Sequence, residues 1–187
     1  MAGSDGLLLR RGEFNGTSWG LGAVLMLEGF EVSEEMKNYG ELGEETPQTQ
    51  SEGEKNAEFW YERGKACLEA GQYEEALESF DRALELNPDV YQAWNGRGNA
   101  LNDLGRYEEA LESYDRALEL NPDFYQAWYN RGVALYYLGR NEEALESYDR
   151  ALELNPDVYQ AWNGRGNALN DLGRYEEALE SYDRALE

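Results

Sequence analysis

Apolar residues recur at helical spacing along the second part of this chain. Between residues 91 and 120, Trp94, Leu101 and Leu104 fall at i, i+7 and i+10, and after Gly105-Arg106 come Tyr107, Leu111, Tyr114 and Leu118 at i, i+4, i+7 and i+11. Each series keeps one face of a 3.6-residue helix apolar, so the stretch predicts two antiparallel helices with a break at Gly105. Leu120-Asn121-Pro122-Asp123 ends the second helix, because a proline disfavours helical backbone at the residue before it and has no N–H to donate.

The pattern is periodic. Trp60, Trp94, Trp128 and Trp162 stand at steps of 34, as do Pro88, Pro122 and Pro156. Val90 to Glu119 recurs letter for letter as Val158 to Glu187, so the second and fourth units are copies. The units run 57–90, 91–124, 125–158 and 159–187, and the sequence ends inside the second helix of the fourth. No single hairpin of this kind buries its own apolar face, so neighbours must stack into an all-α solenoid. Gly98, Ala110 and Ala117 let helix axes approach while Trp94, Leu101 and Tyr114 fill the space between them.

In the second unit the fixed residues are Trp94, Gly98, Leu101, Ala110, Tyr114, Ala117 and Pro122; in the third they are Trp128, Gly132, Leu135, Ala144, Tyr148, Ala151 and Pro156. This pattern resembles the tetratricopeptide repeat (TPR) family across residues 57–187. The departures are arginine at 63, 97, 131 and 165, Cys67 for a larger residue, and Asn141 for a tyrosine. The resemblance implies a right-handed superhelix whose first helices line a concave groove that binds a peptide or helix of a partner protein, without catalysis.

On the first helix of the second unit, the face opposite Trp94, Arg97, Gly98 and Leu101 carries Gln92, Asn95, Asn99, Asn102 and Asp103. Asn95, Asn99 and Asn102 share one face, and Asn163, Asn167 and Asn170 repeat them in the fourth unit. Such a ladder offers one donor and one acceptor group per side chain to a peptide backbone, or simply solvates an exposed helix. The third unit presents Tyr129, Asn130, Val133, Tyr136 and Tyr137 at the same places. Clustered tyrosines are typical binding anchors, although each also suits packing against a neighbouring helix. Tyr61 and Leu68 extend the patch in the first unit beside Lys65, the one groove cation the register places.

One TPR subclass clamps the carboxylate end of heat-shock chaperone tails with Lys, Asn, Asn, Lys and Arg. Read in that register, the second to fourth units give Asn95, Asn99, Asn130, Gln160 and Gly164, so the cations that would offset desolvation of a carboxylate are missing.

Charge narrows the class of partner. The 187 residues hold 16 Lys and Arg against 39 Asp and Glu, a formal charge of −23, which argues against nucleic acid and anionic membranes. With no histidine, the commonest metal ligand and general base are missing, and neither metal nor cofactor is expected. The longest apolar stretch, Trp19 to Leu27, is too short to span a bilayer and no targeting segment is evident, so a cytoplasmic setting is expected.

Other signals reduce to structure. Gly96-Arg97-Gly98 lacks the third glycine and preceding strand of a dinucleotide fingerprint, and Cys67 reads as a small buried hydrophobe. The Glu pairs opening the second helices, Glu74-Glu75 and their equivalents, meet the positive end of the helix dipole. Asn15-Gly16-Thr17 matches a glycosylation acceptor only by chance. The arginines at 63, 97, 131 and 165 need acidic partners, for which Asp81, Asp115, Asp149 and Asp183 are candidates and Glu78 an alternative.

Residues 1–55 carry −7 of the charge and resemble no part of the repeats. Met-Ala-Gly-Ser looks like a cloning leader, 6–14 and 19–32 suit a hairpin or short amphipathic helix, and 46–55 reads as a linker. At the far end, Leu179, Tyr182 and Leu186 are expected to be exposed where earlier units are covered by the next helix. A second copy in a two-fold dimer, a head-to-tail filament, or the Trp19–Phe30 segment would cover them. The leading expectation is thus an interaction module; the alternatives are a structural or engineered self-associating scaffold and the regulatory end of a larger enzyme.

Overall fold

A computed structural model of the chain describes residues 56–187, which form eight α-helices and, among the described residues, no strand. They are α1 (Ala57–Glu69), α2 (Tyr73–Leu86), α3 (Tyr91–Asp103), α4 (Tyr107–Leu120), α5 (Tyr125–Tyr137), α6 (Asn141–Leu154), α7 (Tyr159–Asp171) and α8 (Tyr175–Ala185). The readings made for residues 1–55, including the Trp19–Phe30 cap, lie outside the described residues.

Each first helix starts and stops by local chemistry. Asn56 caps α1, its side-chain oxygen accepting from the Phe59 N–H at 2.9 Å. Later first helices follow an Asn-Pro-Asp turn, in which Asn87 Oδ1 accepts from the Asp89 N–H at 3.1 Å. The Trp94 indole N–H then donates to the Pro88 carbonyl at 2.8 Å, and Trp128 and Trp162 do the same to Pro122 and Pro156. The periodic tryptophan is therefore a fastener for the loop as well as apolar mass. At the other end of α3, Gly105 takes φ 74°, so its N–H reaches the Asn102 carbonyl at 2.9 Å and the Arg106 N–H reaches Leu101 at 2.8 Å. This closes the helix and reverses the chain.

The pairs stack in series. Each first helix packs on the second helix of its own unit, and each second helix on the first helix that follows. First helices also touch one another, α1 with α3, α3 with α5 and α5 with α7, whereas second helices do not. The first helices therefore form the tighter inner wall, and their faces turned away from the core line it. No described helix is long and apolar enough to cross a membrane.

Two devices hold the seams. The first is an aromatic ring from each second helix laid against first-helix backbone. The buried Phe80 ring rests on Gly64 of its own unit and Gly96 of the next, where an added Cβ would sit 2.7 and 2.5 Å from ring atoms. Tyr148 rests likewise on Gly132 and Gly164, at 2.7 and 2.6 Å.

The second device is a bridge. Arg97 donates from Nε to Asp81 Oδ1 and from Nη1 to Ser113 Oγ, both at 2.7 Å, while Ser113 donates to the Glu109 carbonyl at 3.1 Å. Arg131 joins Asp115 to Ser147, and Arg165 joins Asp149 to Ser181, in the same way. Each aspartate belongs to the unit before its arginine, so one guanidinium ties three helices across a seam. By the same register, Arg63 in the first unit lies over the Trp60 ring at 5.1 Å.

Replacing Gly132 by Ala forces a methyl into the Tyr148 ring, and overpacking of this kind costs about 1–3 kcal/mol. Urea unfolding followed by helical circular dichroism should show a lower midpoint, with the folded-state spectrum unchanged.

Candidate functional site

The inner wall is not uniform, because one unit carries different side chains there. In α5, Tyr129, Val133 and Tyr136 are half-buried and pack against the central core, whereas Tyr137 is 61% exposed. The Tyr137 ring stacks on Tyr107 of α4 with centroids 5.1 Å apart and planes 9° from parallel. Tyr136 meets Tyr137 edge-on at 6.2 Å. Burial pushes the Tyr129 phenol above its ordinary range, and burial followed by the neighbouring Asp171 carboxylate does the same to Tyr136.

The asparagines do something other than wait for a ligand. Asn130 stands where the second and fourth units have Gly96 and Gly164, and its Nδ2 donates to Asn95 Oδ1 at 3.1 Å and Asn99 Oδ1 at 2.9 Å. The Tyr114 hydroxyl donates to the same Asn99 oxygen at 2.9 Å. The expected open ladder is corrected here: the carbonyls of Asn95 and Asn99 are already taken, and the network links α3, α4 and α5. Asn102 differs again, since its Oδ1 is buried and accepts no hydrogen bond among the described residues. In the fourth unit Asn163, Asn167 and Asn170 are exposed, with Asn167 accepting from the Tyr182 hydroxyl at 2.9 Å.

In the first unit, Tyr61 is half-buried, its ring tilted against Phe80 at 6.1 Å. Lys65 donates to Glu62 at 3.0 Å and lies 5.3 Å over the Tyr61 ring, and Glu62 holds its ammonium above the ordinary range. Leu68 and Cys67 are partly buried against the first core cluster, so the cysteine is half-buried rather than enclosed.

At the far end, Leu179 and Leu186 are 63% and 87% exposed, where the equivalent Leu145 and Leu152 are 8% and 7%. Tyr182 is the exception to that expectation. Its ring packs on Gly166 of its own unit, where an added Cβ would lie 2.5 Å away, and it is only partly exposed. Among the described residues no group of acidic or cysteine side chains could hold a metal ion.

Sequence reasoning missed two partners. Tyr107 lies in a second helix, and only the register of one unit against the next brings it under Tyr137. The Gly96-Arg97-Gly98 triplet, dismissed as a false fingerprint, is a packing motif, with Phe80 on its first glycine and Tyr114 on its second.

Removing the Asn99 side chain leaves the Tyr114 hydroxyl without its acceptor and Asn130 without one of two, a loss of about 1–3 kcal/mol for a buried group. Asn167→Ala, at an exposed site, should cost less by the same urea titration. A pH effect follows from the same core. Burial, chiefly, holds the Tyr114 and Tyr148 phenols protonated well above their ordinary range. The folded chain thus keeps protons that the unfolded chain loses above about pH 10. Stability is whole below that pH and falls as pH rises, by up to about 1.4 kcal/mol per pH unit for each tyrosine. Tyr148→Phe should flatten that slope in unfolding midpoints measured on either side of it.

Comparison with known proteins gives a consistent picture. The sequence profile of the tetratricopeptide repeat matches residues 50–91, 61–123, 97–153 and 129–187. No curated protein matches the chain. Among solved structures, a crystal structure of MamA is 25% identical at a TM-score of 0.67, covering 70% of this chain and 77% of that one. MamA residues 41 to the end from Desulfovibrio magneticus RS-1 are 24% identical at a TM-score of 0.66, covering 70% and 74%. The first TPR of Spaghetti (RPAP3), bound to the HSP90 peptide SRMEEVD, is 27% identical at a TM-score of 0.62, covering 63% of this chain and 94% of its own.

Proposed function

The chain belongs to the tetratricopeptide repeat family of protein-interaction modules, and from that premise we propose that its inner wall is a non-catalytic groove for a peptide or helix of a partner protein, anchored by the third unit. The observation that carries this reading is the exposed Tyr137 ring beside Tyr136 and Tyr129, at positions where the neighbouring units present Asn and Asp. Tyrosine buries area at little rotamer entropy and keeps a polar tip, which suits an anchor. The RPAP3 repeat, of similar fold, takes a peptide. That peptide ends in Glu-Glu-Val-Asp, and a chain without clamp cations calls for a different ligand.

Selection from a displayed peptide library tests the groove. Binders should lose at least tenfold in affinity on Tyr136→Ala with Tyr137→Ala, a change that alanine scanning associates with anchors, while helix content stays constant. An array that folds yet selects only binders indifferent to those residues would refute the groove.

A second reading concerns Leu179 on α8 and Leu186 just beyond its end, exposed where their equivalents are covered. It assigns this face to self-association through a two-fold contact. Light scattering on dilution should show mass falling toward the monomer, and Leu179→Glu should give the monomer throughout.

A further inference from the structure

Resting on the groove reading, the question that remains is what chemistry the occupant brings, and the balance of donors and acceptors along the inner wall addresses it. The basic side chains of the described residues are already engaged. Arg63 lies on Trp60, and every other arginine and the lysine forms an ion pair, mostly with a carboxylate one turn away or across a seam. The repeats nevertheless carry a charge of −16, so the surplus is entirely acidic.

Part of that surplus falls on one row. Asp103, Tyr137 and Asp171 are last residues of α3, α5 and α7, at the same register position of three successive first helices. The row therefore places a tyrosine between two carboxylates. The Asp171 carboxylate acts on the Tyr136 phenol, and partial burial raises the Asp103 carboxyl above its ordinary range with no cation among the described residues paired to it. Beside the row, the Oδ1 atoms of Asn102 and Asn141 are buried and accept no hydrogen bond among the described residues. Asn141 opens α6 at the position where Tyr107 opens α4, the place that faces the end of the next first helix. What this row lacks is positive charge.

The aromatic surface narrows the cation. Tyr107 covers one face of the Tyr137 ring in a near-parallel stack, and the residue as a whole is still 61% exposed. A flat, weakly hydrated guanidinium stacks on such a ring and keeps its N–H fork in plane for carboxylates on either side, whereas an ammonium has no plane to stack. We infer that the groove's occupant is an arginine-bearing segment of a partner protein, seated with a guanidinium on the open face of Tyr137 between Asp103 and Asp171.

Fluorescence anisotropy with three labelled peptides of one length, built from Gly and Ser with Arg, Lys or Glu at the same positions, tests this on the full chain. The Arg peptide should bind most tightly. Asp103→Asn with Asp171→Asn, and separately Tyr137→Leu, should each weaken it about tenfold. Glu112→Gln with Glu146→Gln, the same loss of charge on second helices, should change affinity by less than about twofold. Equal weakening by that outer pair would overturn the inference, since bulk charge would then explain binding. Equal affinity for the Lys peptide would overturn the guanidinium assignment. Binding of the Glu peptide alone, lost in Tyr137→Leu, would overturn the inference and leave the groove standing. Failure of all three peptides, while library binders still depend on Tyr136 and Tyr137, would do the same. Circular dichroism of each variant shows that it folds.

Discussion

An aromatic ring can reach this close to the backbone of two helices at once only if both have given up their side chains at the point of contact. That constraint organises this molecule. Phe80 and Tyr148 each reach from a second helix to a glycine of their own first helix and a glycine of the next. A single ring thereby joins the packing within a hairpin to the packing between hairpins, and the unit cannot close its core without a neighbour. The close approach brings successive first helices into contact while second helices splay, which is what gives the stack an inner wall. The groove is a consequence of where the glycines are.

The arginine bridges work on the same seams with polar groups. A guanidinium set between helices would be costly if any of its partners were missing, and here Asp81 and Ser113 are supplied by two different helices around Arg97. The serines are fully buried and return a hydrogen bond to the carbonyl one turn back, so the polar network in the seam is closed. Because the aspartate always comes from the preceding unit, each bridge ties a hairpin to the one before it. These pairs consume positive charge on structure.

Much of this was legible in the sequence because it repeats. Helices, turns and stacking follow from apolar spacing and from tryptophan, glycine and proline at a fixed period, and the pairing of arginine with aspartate is a question that charge alone poses. What the sequence left open was which carboxylate meets each arginine and from which unit, since Asp81, Asp115, Asp149 and Asp183 were all candidates beside Glu78 and only the relative placement of hairpins chooses among them. The chemistry of the inner wall was only partly legible. Asn95 and Asn99 look open in a helical projection, yet Asn130, in place of a glycine on the next helix, reaches across and occupies both. A projection of one helix contains no information about its neighbour's side chains. Tyr107 escaped notice for the same reason.

The distribution of differences among the units carries the last step. Residues 90–119 and 124–153 differ at seven positions, and five of these, 95/129, 96/130, 99/133, 102/136 and 103/137, lie in the first helix at the inner wall or at the glycine beside it. The other two, 90/124 and 107/141, flank that helix, and Tyr107 forms the stack with Tyr137. The rings, bridges, loop fasteners and helix-closing glycines are the same in both units. The changes thus spare the rings, bridges and loop fasteners, and where one of them replaces a packing glycine, at Asn130, the new side chain brings its own hydrogen bonds. A stack built solely to be stiff would gain nothing from exchanging two asparagines and an aspartate for three tyrosines at its inner surface. The exchange sets an aromatic face between two faces of asparagine and aspartate.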